Sequence, residues 1–213
     1  LPKHELLAHK SFLRNMNLID WVFAVVMIGI AAFIQFTIPH HMDIYETVIL
    51  WFSAGASIGL GWFFKPLRLF IPGAIALAYG AMQLYGGDIN HNNNFFLSYF
   101  ISSQSAIMWQ CATVFFALFC YVVGTFLARN QQSDTNTLLG MGTALAWISA
   151  FMGVVGLLVR WHESYLLRPD AGHMPVSNLY EVFVLFMVIT GLMYLYYEKK
   201  FAMQKLGGFV YTF

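Results

Sequence analysis

Polar and ionisable side chains are concentrated in one segment of this chain, from Arg160 to Glu181. The segment holds three of the ten acids, two of the eleven lysines and arginines, and two of the seven histidines. A guanidinium such as that of Arg160 can hold a carboxylate through paired hydrogen bonds. An imidazole such as that of His173 can ligate a metal or donate a hydrogen bond to an anion. If this stretch of chain carries chemistry, we expect it in this segment.

The same residues also have ordinary structural interpretations. Asn178 and Glu181 have the spacing of a capping box, in which an N-cap residue is followed three residues later by a glutamate, and they would begin a helix. Arg160 could pair with Glu163 or extend along the end of its helix towards water. His173 could be a solvated loop residue. The residues alone leave these interpretations open beside the functional ones.

Composition identifies the surroundings of these residues. Of the 213 residues, 59% are apolar and 18% are aromatic, whereas only 10% are charged. A soluble domain has about 25% charged residues, so this chain cannot cover a globule with charge, and lipid must form part of its solvent. The net charge of +1 gives no basic surface for nucleic acid, and we predict no such partner.

Six apolar runs are each near the ~20 residues that a helix needs to cross a bilayer. They are residues 18–38, 45–64, 67–85, 103–128, 137–159 and 178–197. Backbone groups in lipid must be satisfied within the structure, and these lengths suit helices rather than barrel strands. We therefore predict an all-α fold, a polytopic transmembrane helix bundle of about six spans. A further apolar run from Leu206 predicts a seventh span that continues beyond Phe213.

Basic residues predict the orientation of the spans. If successive spans alternate in direction, nine of the eleven lysines and arginines fall on one side, and only Arg160 and Arg168 fall on the other. Basic residues mark the cytoplasmic side. The amino terminus is therefore predicted to be cytoplasmic, and the loop of residues 160–177 to be extracytoplasmic or periplasmic.

Charged residues are expected only near the ends of the spans. Asp20 lies at the entrance of the first span, and by this assignment no other acid or base lies deep in the bilayer. Buried charges in membranes usually mark proton or ion paths. Their expected absence argues against a pump or an ion-coupled transporter.

Small residues predict where helices pack closely. Gly55 and Gly59 are four residues apart in the second span. The fifth span repeats the pattern with Gly140, Gly142, Gly153 and Gly156. Because residues of this size let two helix backbones approach, we expect both spans to pack against neighbours.

A resemblance to a known family connects these features. Residues 172–181, GHMPVSNLYE, match without a gap the motif G-H-x-P-V/L-S-N-L-Y-E. This motif is typical of cytochrome c biogenesis membrane proteins of the CcsA/ResC type, the haem-handling half of the system II cytochrome c synthase. The helix before it, GTALAWISAFMGVVGLLVRWHESY, and the basic turn after it, YEKKFAMQKLGGFV, also resemble this family. The resemblance predicts two domains: amino-terminal helices over residues 1–94, matched by hydropathy and length, and the start of the cytochrome c assembly core over residues 95–213.

The resemblance implies a function at the extracytoplasmic face. Proteins of this family pass haem b across the cytoplasmic (inner) membrane and help to attach it to the CxxCH cysteines of apocytochrome c. They act with a ResB-type partner subunit, so the chain would be part of a haem lyase. The resemblance itself implies only that residues 172–181 belong to the outer working face. From the density of polar residues at this outer position, we take Arg160, His173, Asn178 and Glu181 as the candidate contacts to the porphyrin edge or to the partner subunit.

The axial haem ligands are expected elsewhere. The family carries them beside a tryptophan-rich WWD segment, and residues 1–213 contain no such segment. The sequence therefore identifies no catalytic residue, and we predict no metal ligand within this stretch.

Two other classes of protein fit the hydropathy. A structural or anchoring subunit of a membrane redox complex would also have apolar helices and aromatic ends, but it has no reason to contain the motif of residues 172–181. A small-molecule permease would favour polar residues or broken helices near the middle of the membrane, and the sequence offers few of them.

Overall fold

The computed structural model describes residues 16–37, 44–87, 89, 94–130, 137–167 and 174–212. Within these ranges the regular structure is helical and contains no β-strand. The six long helices are α1 (Leu18–Thr37), α2 (Ile44–Phe63), α3 (Leu67–Tyr85), α4 (Ser103–Asn130), α5 (Thr137–Leu167) and α6 (Leu179–Phe201). Each contains a stretch long and apolar enough to cross a membrane, which confirms the predicted all-α, polytopic helix bundle.

The bounds of the helices agree with hydropathy to within two residues except at the carboxyl ends of α5 and α6, and α6 continues four residues past its apolar run to Phe201. Hydropathy placed Arg160 in a loop, but α5 continues through Leu167. The prediction of a loop over residues 160–177 is therefore wrong for its first eight residues. A helix can continue through polar side chains until it reaches a glycine or a proline. The first of these after Arg160 is Pro169. The residue before a proline disfavours the helical conformation, so Pro169 is the stop signal that hydropathy overlooks.

The described residues belong to two compact units, which divide between Pro72 and Gly73 inside α3. The domain boundary predicted after residue 94 rests on family resemblance and stays a prediction. In the first unit, Asp20 at the start of α1 is buried and forms a salt bridge with Arg68. The Trp62 indole N–H donates to the backbone oxygen of Asp20 at 3.0 Å. These contacts hold the end of α2 and the start of α3 around the start of α1.

The second unit is organised around α5. Alanines at positions 74, 78 and 81 of α3 pack with Val155 and Val159 on one side of it. Ile107 of α4 and Val184 of α6 pack with Leu157 on another. Helix α5 thus has neighbours on several faces, which is why its polar residues reach side chains of three other helices.

Close packing occurs at the glycines of α5. An added Cβ at Gly142 would lie 3.1 Å from the ring of Tyr121, and one at Gly156 would lie 2.7 Å from Ile107. At Gly153 it would lie 2.5 Å from Val188. The predicted packing is confirmed at these three positions. In the described structure, Gly55, Gly59 and Gly140 have no side-chain or backbone neighbour that a Cβ would meet within 4 Å.

Short helical turns accompany the long helices. A π-helical turn over Leu97–Ile101 precedes α4. A 3-10 turn over Gln204–Leu206 leads into a single helical turn over Gly207–Val210. Ala202, between α6 and these last turns, has a φ of 52°. This left-handed conformation ends α6 and reverses the direction of the backbone. The seventh span expected from Leu206 stays a prediction.

Candidate functional site

The carboxyl end of α5 meets the amino ends of α4 and α6 at a cluster of polar side chains. We call it the Arg160 cluster, and it consists of Tyr85, Ser103, Arg160, Glu163, Ser177 and Glu181. Three of the four predicted site residues lie in or beside it, namely Arg160, Asn178 and Glu181. The fourth, His173, lies outside the described residues.

Asn178 begins α6 as its N-cap. Its backbone is extended, with φ −121° and ψ 159°, and its side-chain oxygen accepts a hydrogen bond from the Glu181 N–H at 2.9 Å. Glu181 reaches back in turn, and its Oε2 accepts from the Ser177 N–H at 3.2 Å. The predicted capping arrangement is therefore present, with the glutamate bonding one residue earlier than in the usual box.

Arg160 lies between two carboxylates. Its Nε is 3.3 Å from Oε1 of Glu181, and its Nη1 is 3.5 Å from Oε2 of Glu163. The two acids are nearly inaccessible, with side-chain exposures of 2% for Glu181 and 9% for Glu163, whereas the arginine side chain is 37% exposed. One guanidinium thus ties the end of α5 to the start of α6 and still presents part of its surface outwards.

Glu163 is the residue that joins most helices in the cluster. Its Oε1 accepts from the Tyr85 hydroxyl of α3 at 2.6 Å and from the Ser103 N–H of α4 at 3.0 Å. Its Oε2 accepts from the Ser103 hydroxyl at 2.5 Å. Glu163 therefore acts as a capping acid for α4, supplied from another helix. The sequence hinted at it only through its spacing of three residues from Arg160, and nothing in the sequence pointed to Tyr85 or Ser103.

The charges of the cluster are balanced by helix ends as well as by the arginine. Two buried carboxylates face a single guanidinium. Each also lies against a helix amino terminus, Glu163 against α4 and Glu181 against α6. A helix amino terminus carries a partial charge of about +0.5, so two of them offset about one further negative charge. This arrangement explains how both acids can be buried at the end of a membrane helix.

The surface beside the cluster is largely apolar. Met174, Val176, Leu179 and Tyr180, on the approach to α6 and in its first turn, are exposed, and the exposed polar residues Ser177 and Asn178 lie between them. The indole of Trp161 and the imidazole of His162 are partly buried on the last turns of α5. The exposed part of Arg160 is therefore a cation at the border of an apolar surface.

These residues suit contact with the edge of a haem better than ligation of its iron. Haem presents an apolar face, two acidic propionates, and an iron that takes axial ligands. The apolar surface and Arg160 match the first two. Among the described residues, however, no three of His, Cys, Asp and Glu lie close enough together to hold a metal ion. His162 is the one histidine within the described ranges, so a pair of imidazoles would need residues outside them.

Buried acids occur at three places in the described structure. The four acids under a tenth exposed are Asp20, Glu163, Glu181 and Glu198. Glu163 and Glu198 are buried because α5 and α6 extend beyond their apolar runs, so that both lie within packed helices. Burial within the protein does not place an acid at a given depth in a bilayer, so the prediction that no acid or base besides Asp20 lies deep in the bilayer stays a prediction.

The comparisons with known proteins leave this site to be interpreted from its geometry. No protein-family model, curated protein or solved structure matches the chain.

Proposed function

We propose that this chain handles haem at the extracytoplasmic face of the cytoplasmic membrane and takes part in its attachment to apocytochrome c. The observation that carries the proposal is the position of the motif of residues 172–181. Its last four residues form the first turn and cap of α6, and Glu181 binds the exposed Arg160. The residues that resemble the family thus lie beside Arg160, a cation that two carboxylates hold in place at the border of an apolar surface.

In this proposal haem is the cargo, and the Arg160 cluster steadies one edge of its binding surface. The exposed part of Arg160 would hold a propionate through charge-assisted hydrogen bonds. Tyr180 and Leu179 would cover part of the apolar macrocycle. Glu163 and Glu181 fix the arginine from behind and limit its motion. Ligation of the iron would come from histidines beside the family's WWD segment, outside residues 1–213.

The orientation is part of the proposal. The positive-inside rule assigns the Arg160 cluster to the extracytoplasmic side, where apocytochrome c and a ResB-type subunit would meet it. The opposite end of α6 carries Lys199 and Lys200, and Lys205 lies in the turn that follows; such basic residues are typical of the cytoplasmic side. A cysteine introduced at Leu179 should react with an impermeant thiol reagent in intact cells, whereas one at Lys200 should not. Labelling in the reverse pattern would contradict this orientation.

The function is tested by cytochrome assembly in a bacterial host that lacks its own cytochrome c synthase. The full-length protein is produced with its partner subunit and a reporter apocytochrome c, and the yields of haem-stained cytochrome and of co-purified haem are measured. We expect the wild-type protein to restore the cytochrome. An anchoring subunit would restore none, and that outcome would overturn the proposal.

Arg160→Lys probes the role of the guanidinium in the same assay. Lysine keeps the positive charge between the two acids but lacks the planar fork. We expect co-purified haem to fall about tenfold, because a hydrogen bond to a charged group contributes about 1.5 kcal/mol. Lys65→Gln, which removes an exposed charge in the other unit, is the matched control and should leave both yields unchanged. Equal yields from the Arg160→Lys and wild-type proteins would remove Arg160 from the haem site.

Residues 1–213 alone give a second, independent test of where the iron ligands lie. The purified stretch should lack the absorption spectrum of haem with two histidine ligands. A stoichiometric spectrum of that kind would place the ligands within this chain and refute their assignment to residues outside it.

A further inference from the structure

One side of α6 presents an exposed apolar surface over most of the length of the helix. Its exposed residues recur every three or four positions, at Val182, Phe186, Ile189 and Met193. Tyr196, which is partly buried, and the exposed Lys200 continue the same spacing. Residues three and four apart are neighbours on a helix surface. These six residues therefore form one row, which we call the α6 stripe, and the row ends at a lysine.

The length of the α6 stripe matches the apolar layer of a membrane. Lys200 is 18 residues after Val182, which is about 27 Å along the helix axis. The hydrocarbon core of a bilayer is about 30 Å thick, and α6 is long and apolar enough to cross it. In a helix that crosses the membrane with this stripe against lipid, Lys200 lies at the level of the lipid headgroups.

Aromatic rings hold the ammonium group of Lys200 at this end of the stripe. The ammonium donates to the Tyr196 hydroxyl at 3.2 Å, and it lies 5.4 Å from the centroid of the Tyr196 ring and 5.5 Å from that of Phe201. A cation over an aromatic face is attracted to the ring. An ammonium has three N–H donors, and the bond to Tyr196 uses one of them. Because the side chain is exposed, donors remain for an anion.

The residues after Lys200 add a second exposed cation and further apolar side chains. Helix α6 ends at Phe201, which is exposed, and the backbone turns at Ala202. The exposed side chains of Met203 and Lys205 follow. Lys199 is exposed too, but it already has an interaction within the protein. The surface is therefore argued from Lys200 and Lys205.

The one acid in residues 182–213 lies on the other side of α6. This acid is Glu198, which is 5% exposed and bonded to hydroxyl groups of α4, α5 and α6 itself. Residues two apart do not face each other on a helix, so Glu198 and Lys200 point to different sides. The exposed end of α6 is thus a basic surface at the edge of an apolar one.

An anionic phospholipid has the chemistry that complements this surface. Its phosphate group carries a negative charge and accepts hydrogen bonds from an ammonium, and its acyl chains are as apolar as the α6 stripe. Lysines next to a membrane span are attracted to anionic lipid. A soluble anion would use the lysines but not the stripe, and a lipid without net charge would use the stripe but gain less from the lysines.

We propose that the end of α6 around Lys200 is a binding site for an anionic phospholipid. Lys200 binds the phosphate, Lys205 adds to the attraction, and an acyl chain lies along the α6 stripe over Met193 and Ile189. The proposal does not depend on haem handling, because the site lies at the opposite end of α6 from the Arg160 cluster and shares no residue with it.

Titration of the full-length protein with phosphatidylglycerol in micelles of a neutral detergent, followed by native mass spectrometry, tests this proposal. The wild-type protein should bind phosphatidylglycerol more tightly than phosphatidylcholine. Lys200→Gln should weaken the binding of phosphatidylglycerol about fivefold, the factor expected for one lysine at an anionic surface, and should leave that of phosphatidylcholine unchanged. Lys200→Arg keeps the charge and should retain most of the affinity. An unchanged affinity in Lys200→Gln would overturn the proposal.

A matched control separates a site from a general attraction between charges. Lys65→Gln removes an exposed lysine of the other unit and should change neither affinity. Equal losses in Lys65→Gln and Lys200→Gln would show that any lysine serves, and the proposed site would not exist. Displacement of the lipid by inorganic phosphate at the same concentration would also overturn the proposal, because it would mean that the stripe contributes nothing.

A variant of the stripe tests the position of the acyl chain while it leaves every lysine in place. Met193→Asn puts a polar group in the middle of the α6 stripe, and it should weaken the binding of phosphatidylglycerol at least as much as that of phosphatidylcholine. Unchanged binding of phosphatidylglycerol would contradict an acyl chain at this position. A cation near the carboxyl end of a helix also interacts favourably with the helix dipole. If that were the whole role of Lys200, Lys200→Gln would lower stability without changing any lipid affinity, and the proposal would be wrong.

Discussion

Glu163→Ala is the substitution that should affect the described structure most strongly for its size. Three donors lose their acceptor, namely the Tyr85 hydroxyl and both the N–H and the hydroxyl of Ser103. A buried donor left without a partner costs about 1 kcal/mol or more, so we expect the free energy of unfolding to fall by roughly 3 kcal/mol. Glu163→Gln should lower it by only about a third as much, because its carbonyl oxygen can replace Oε1 and keep two of the three bonds.

The measurement is reversible unfolding in mixed micelles with increasing SDS, followed by helical circular dichroism. Leu179→Ala, at a residue that is 72% exposed, is the control for loss of side-chain volume alone. Combining Glu163→Ala with Tyr85→Phe isolates their interaction, which we expect to reach about 1.5 kcal/mol because the acceptor is charged. Neutral hydrogen bonds between membrane helices average about 0.6 kcal/mol. A total loss for Glu163→Ala no larger than that value would refute the reasoning.

Three further predictions concern single contacts. Asn178→Ala should lower the free energy of unfolding by about 1 kcal/mol while Asn178→Ser should not, since serine also caps helices; equal losses in the same SDS titration would contradict the cap. Asp20→Asn and Arg68→Met should each lower the free energy of unfolding by about 3 kcal/mol or more, because each single change leaves a buried charge unpaired. The double variant should lose less than the sum of the two. Additive losses would show that the two groups do not interact. Gly207→Ala should speed tryptic cleavage after Lys205, because a methyl group at residue 207 cannot fit against the ring of Tyr121. An unchanged rate would mean that the residues after α6 are not held against Tyr121.

Hydropathy was sufficient for the helices because lipid allows few alternatives. A backbone that must satisfy its own hydrogen bonds has to be helical over each long apolar run, and α3 was predicted to the residue. The method fails where a helix leaves the apolar layer, because hydropathy falls there although the hydrogen-bonding pattern continues. Residues 160–167 illustrate this, since their helix ends near Pro169 and not at the first arginine.

The candidate site was predictable only where its partners are close in sequence. Asn178 and Glu181 are three residues apart, and the capping pattern follows from that spacing. The link from Glu163 to Ser103 spans 60 residues, and the link from Glu163 to Tyr85 spans 78. Such pairs depend on which helices pack together, and a single sequence carries no signal for that. Glu198 was expected to lie beyond the end of a span for the other reason, because α6 continues past its apolar run to Phe201.

The uneven packing of the helices has a consequence for the substitutions that the chain can accept. Half of the most apolar stretch of α5 is buried within the structure, compared with 11% of that of α2. Exchanges among leucine, isoleucine, valine and phenylalanine should therefore be nearly neutral along most of α2. In α5, any enlargement at Gly142, Gly153 or Gly156 would displace the side chain that packs there, which belongs to Tyr121, Val188 or Ile107 respectively. A saturation library selected for correctly inserted protein should retain many variants of α2 and very few at these three glycines.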